Sequence, residues 1–307
     1  MIASFFKTSR PIHSVIVAVF TFVVFFTIRI ETLFNDFKIG LFINEFLKYL
    51  IILASIFVLD FLVHKNKLTQ KNGYEILIFS LLMITFPTTM VDVNIFTANF
   101  FLLLALRRII SLRSNLRIKK KLFDAAFWIC IAALFQFWSI LFLLLIIAAL
   151  LLHTIASAKN WIIPLTGVGT VVLIVMAYSI LFNDSFGSIN NYLEGVSLDF
   201  SAYNTSSILV PVLILVLLGL WTLGYYVVSL NNKPKSFRPS FILVLIALFI
   251  GLTMILISPN KTSGELIFLF PALTVVLSNY LESINNKWLS EGLVVVLLAL
   301  PILQLVL

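Results

Sequence analysis

The sequence predicts an all-α fold, a polytopic transmembrane helix bundle. Three observations carry this: long apolar runs, very little charge within them, and basic residues gathered into the short segments between. Of 307 residues, 61% are hydrophobic and 11% charged, with a mean hydropathy of +1.13. A soluble domain usually carries about 25% charged residues, so this chain lacks the polar surface to cover a globule in water. Lipid offers no partner for free backbone N–H and C=O groups, so each crossing of about 30 Å needs a helix of about 20 apolar residues.

Eleven runs meet that need: 11–30, 43–63, 74–90, 93–110, 122–136, 138–156, 161–182, 207–230, 240–258, 265–282 and 289–307. The first begins at Pro11, a residue suited to a helix start because its missing N–H would have no partner there. Lys7 and Arg10 before it give the look of a signal peptide. The run is too long for a typical signal core and no small-residue cleavage site precedes Arg29, so it is read as a retained span. Segment 29–45 interleaves charges with apolar residues and is expected to lie along the membrane interface. Spans three and four are joined by the tight turn 87–94. Region 122–156 is read as a hairpin, with Gln136, Trp138 and Ser139 at its interfacial turn, because Trp favours headgroup level.

Charge sets the expected orientation. Seventeen of the 21 Lys and Arg residues fall into six short segments, the densest holding Arg107, Arg108, Arg113, Arg117, Lys119, Lys120 and Lys121. Segment 183–206 has none, and carries Asp184, Glu194 and Asp199. Basic loops resist translocation, so the N-terminus is expected inside an inner membrane and the C-terminus outside. The formal charge of +8 and pI near 9.6 are then topogenic, serving membrane-lipid headgroups rather than nucleic acid. Cys130 is a lone cysteine in an apolar run, which excludes a disulfide framework. His13, His64 and His153 match no ligand spacing, so no metal and no cofactor is expected. No Gly-rich phosphate loop occurs.

Eight of the 13 acids fall outside on this map, among them Glu31, Asp36, Glu45, Asp92 and Glu265. Within the spans, Asp60 is read as reaching headgroups or pairing with Lys65, and Asn99 and Gln136 as interhelical hydrogen-bonding groups.

An acid just after the first span, interfacial character beyond it, a second acid between spans three and four, and a long outer loop between spans seven and eight resemble the membrane-embedded glycosyltransferases of the GT-C class. The likeness covers about residues 1–230 of a single integral domain 1–307, with three further spans in 231–307. It implies a polyisoprenyl-phosphate sugar donor, Glu31 or Asp36 as the first-loop acid and Asp92 as the second. Arg29, Asn94 and Lys261 would then bind substrate, with a cation offsetting the phosphate leaving group. The Asp-Glu pair common after span one is missing, and Asp92 has no second acid two residues on.

The opening Ser-Phe-Phe-Lys-Thr-Ser-Arg-Pro and the Phe/Ile/Lys/Asn-rich usage also resemble a family of uncharacterised multi-spanning inner-membrane proteins of Bacteroidota. That likeness covers the whole chain and implies location rather than activity. The transferase reading competes with a non-catalytic membrane subunit bound to a membrane-protein partner, and with a small-molecule carrier.

Overall fold

The computed structural model describes residues 2–30, 39–153, 155, 157–183, 195–259 and 261–307. Among them the chain is all-α, with no strand. Thirteen α-helices follow in order: α1 Ile2–Phe6, α2 Pro11–Ile28, α3 Ile39–Asn66, α4 Tyr74–Thr85, α5 Thr88–Val91, α6 Val93–Ile110, α7 Ile118–Phe135, α8 Leu143–Leu152, α9 Ala158–Asn183, α10 Ser206–Ser229, α11 Arg238–Ile257, α12 Phe270–Ser283 and α13 Lys287–Val306. Seven helical segments are long and apolar enough to cross a membrane, namely α2, α3, α6 with the turn after it, α9, α10 with the turn after it, α11 and α13.

Of the remaining runs, 122–136 falls on one unbroken helix, α7, whose 18 residues take in Lys119, Lys120, Lys121 and Asp124; the others are broken for readable reasons. Between α4 and α5, Pro87 has no N–H to give and its ring disfavours a helical residue before it. Phe86 accordingly sits at φ −119°, ψ 87°. Gln136 is extended at φ −138°, ψ 105° and turns the chain between α7 and the 3₁₀ turn 137–142 that leads into α8. A second 3₁₀ turn, 264–268, leads into α12.

Helices α4 and α12 form the centre. Every residue of α4 is buried, as are eleven of the fourteen in α12. Close approach is built in at Gly251, where a Cβ would meet the Phe268 carbonyl oxygen at 2.8 Å. The outer helices are the reverse: only 17% of the apolar window of α9 is buried, against 67% for that of α6. An α9 face of Leu165, Leu173 and Leu181 stays exposed, which suits a hydrocarbon surround rather than water.

Polar contacts gather at the two ends of the bundle. At one, Trp138 donates to the Gly195 carbonyl at 3.2 Å and Thr88 shares a 2.8 Å hydrogen bond with Ser263. The Ser206 hydroxyl donates there to the Leu307 carbonyl at 3.3 Å. At the other end, Gly73 N–H donates to the Phe6 carbonyl at 2.8 Å and Asn279 to the Leu68 carbonyl at 2.9 Å. Arg108 pairs with Asp124 at 2.9 Å and Arg107 lies over the Phe61 ring at 4.5 Å.

Candidate functional site

The described residues of the expected site all lie toward the Thr88–Ser263 end. Arg29 follows the last turn of α2 and is buried. Its Nη2 donates to the carbonyls of Met90 (2.9 Å) and Val91 (3.1 Å), while Nε pairs with Glu45 at 2.5 Å. Asp92 is exposed and caps α6: Oδ1 accepts from the N–H groups of Asn94 (2.9 Å) and Ile95 (3.3 Å), two donors a helix start leaves without partners. Asn94 is exposed beside it.

Lys261 is buried, and its ammonium donates to the carbonyls of Ser197 (2.9 Å), Ile255 (3.1 Å), Leu256 (2.9 Å) and Ser258 (2.9 Å). Burial holds it below the ordinary lysine range, against the pull of Glu265 and Asp199. Glu265 in turn accepts from Tyr203 O–H at 2.8 Å and Thr262 N–H at 3.1 Å, and burial pushes the Tyr203 phenol up. Arg29 and Lys261 thus spend their donors on the protein's own acceptors. Glu31 and Asp36 lie outside the described residues, as do Asp184 and Glu194.

The opposite end holds a feature that no local spacing announces. A cleft of about 930 Å³ opens between the start of the chain, loop 67–73, the end of α12 and the start of α13. Its carboxylates are committed. Glu282 accepts from Gln70 N–H at 2.9 Å and from the Asn72 side chain, and Glu291 accepts from Ala3 N–H at 3.1 Å. The ammonium groups of Lys7, Lys71 and Lys287, also on its lining, make no hydrogen bond or ion pair among the described residues. Leu281 and Ile284 supply an apolar portion of the wall, and Trp288 is 88% exposed at the rim.

Beneath loop 67–73, His64 stands between two carboxylates. Its Nδ1 lies 3.0 Å from Asp60 and its Nε2 3.2 Å from Glu75, whose side chain is fully buried. Thr69 donates to Glu75 at 3.2 Å. Asp60 therefore pairs with His64, one helical turn on, and Lys65 lies over the Phe61 ring instead. The Asp60/His64 spacing was visible in the sequence; Glu75 arrives only through the loop.

A family model described as a family of unknown function (DUF6427) matches residues 3–306, almost the whole chain. The chain belongs to that family. Its members carry no assigned activity by that description, and the match says nothing of a transferase or of an origin. No curated protein and no solved structure matches the chain.

Proposed function

We propose that this member of the family is an integral inner-membrane protein of eleven crossings, with its basic end in the cytoplasm, that binds a phosphate-bearing amphiphile in the cleft at that end. Contacts at the bundle's ends support the count. Arg29 ties the end of α2 to Met90, so α4 and α5 together make one traverse from the Phe6–Gly73 contact. The 3₁₀ turns 137–142 and 264–268 lengthen α8 and α12 in the same way. Orientation rests on the basic segments, since Lys and Arg near helix ends are retained on the cytoplasmic side.

The observation that carries the ligand is the pairing pattern of the cleft. Its acids are occupied by N–H donors while three ammonium groups stand unpaired among the described residues around an apolar wall. Such a site matches an anionic headgroup with its chain along Leu281 and Ile284. Each Lys near an anionic membrane surface contributes about 1 kcal/mol. The full-length protein in nanodiscs tests this, by native mass spectrometry of retained lipid. Phosphatidylglycerol and a polyisoprenyl phosphate are to be offered separately, to tell a bulk lipid from a lipid-linked carrier. Replacing Lys7, Lys71 and Lys287 together by Ala is expected to cut retention at least tenfold. Unchanged retention rejects the reading.

A second reading, the transferase with a lipid-linked sugar donor, is supported by one relationship. Arg29, Asp92, Asn94 and segment 261–263 come from three distant parts of the chain to one end of the bundle. On this reading Asp92 is the acid that meets the acceptor. Loss of sugar transfer in Asp92→Asn, with folding intact, is its test. The commitment of Arg29 and Lys261 to protein acceptors favours instead a non-catalytic membrane subunit at that end.

A further inference from the structure

The cluster under loop 67–73 has a geometry that pairing alone leaves incomplete. Glu75 is 0% exposed, and its second oxygen, Oε2, accepts no hydrogen bond among the described residues. A buried carboxylate oxygen without a partner is costly, and charge at such depth is kept where it has a task. One donor atom each from Asp60, His64 and Glu75 falls within 4.8 Å of the others.

We propose that Glu75 and Nε2 of His64 bind a divalent transition-metal cation, with Asp60 accepting Nδ1–H to hold the ring. Ligand atoms in a tetrahedral site with bonds of about 2.1 Å stand about 3.4 Å apart. The His64 Nε2 to Glu75 Oε1 separation is 3.2 Å, close to that value. Both Glu75 oxygens then face the ion, which gives Oε2 its partner, and Thr69 steadies Oε1 from behind. Asp60, 3.0 Å from Nδ1, completes the carboxylate–imidazole–metal arrangement that fixes ring orientation and tautomer. Water fills the positions left over.

Charge is consistent with this occupant. A divalent ion on the neutral ring balances both carboxylates. Imidazole with carboxylate suits zinc, and also manganese or iron, rather than the hard all-oxygen ligation of calcium. The nearest exposed cation on the same helix, Lys65, is directed onto Phe61 at 4.9 Å and does not fill the role.

The experiment uses the purified full-length protein in detergent, stripped with chelator and titrated with Zn²⁺ alone by equilibrium dialysis. One equivalent is expected to bind. His64→Ala and Glu75→Gln are expected to abolish that uptake, Asp60→Asn to weaken it about 10–100-fold as an orienting partner, and Lys65→Ala to leave it unchanged. Should Glu75→Gln fail to fold, Co²⁺ loaded into the wild type and Asp60→Asn decides, because its visible d–d bands shift only if Asp60 touches a ligand of the ion. Absence of stoichiometric uptake by the wild type, uptake that survives His64→Ala, or identical Co²⁺ spectra overturns the proposal.

Discussion

Arg29 reaches across to the Met90 carbonyl at 2.9 Å and pairs with Glu45 at 2.5 Å, so one guanidinium joins the end of α2, the end of α5 and the first turns of α3. The planar fork serves several acceptors at once, and stacking on Phe25 at 4.0 Å adds to its placement. Arg29→Ala would leave Glu45 paired only with Lys48 and two carbonyls without a donor. Removing one partner of a buried pair costs about 3 kcal/mol. Thermal unfolding in detergent is expected to show that loss. Arg29→Lys should recover less than half of it, since a compact ammonium lacks the planar fork that faces the carboxylate and the two carbonyls from separate nitrogens.

Asp92 separates a structural from a catalytic role by a single atom. Asn caps helices about as well as Asp, whereas Ala lacks the acceptor, so Asp92→Ala is expected to lose about 1 kcal/mol and Asp92→Asn almost nothing. Equal losses in both, read from thermal melts, would show that its charge rather than its Oδ1 acceptor holds the start of α6.

Gly73 lies against His13 so closely that a Cβ would stand 2.9 Å from Nδ1 and 3.2 Å from the Phe6 ring. Here α1, α2 and α4 meet. Gly73→Ala is expected to destabilise by about 1–3 kcal/mol through overpacking. His13→Ala in the same chain should restore most of it, a coupling that a double-mutant cycle measures directly. Additive losses would mean that the two residues do not press on one another.

The helical layout was largely legible because a traverse of lipid needs a long apolar run. The expected bounds 93–110 coincide with α6. Pro87 already marked the interruption that divides the 74–90 run, yet hydropathy alone reads straight through it. The cleft was hidden for a different reason: Gln70 and Glu282 are 212 positions apart, and their contact depends on how α12 packs against loop 67–73. Glu75 reads locally as a first-turn acid favoured by the helix dipole, and only the fold sets it against His64. Asn99, expected to bridge helices, is buried with its Nδ2 making no hydrogen bond among the described residues. Polar spacing along one helix does not report what the neighbouring helix offers.

The proposed eleven-crossing arrangement makes a prediction that needs no knowledge of the ligand. Cys130 is the only cysteine in the sequence and is buried, so Cys130→Ala yields a silent background for reporters. Lys119 is exposed at the start of α7 and Asp199 is exposed beyond the end of α9. Between them run α7, α8 and α9, three traverses on this arrangement, so the two positions must face opposite sides. A membrane-impermeant maleimide added to sealed right-side-out membrane vesicles is expected to label Asp199→Cys and to spare Lys119→Cys until the vesicles are broken. Labelling both from outside would mean that α7 and α8 do not form a crossing hairpin. Labelling Lys119→Cys alone would invert the bundle and set the cleft lined by Lys7, Lys71 and Lys287 on the outer face.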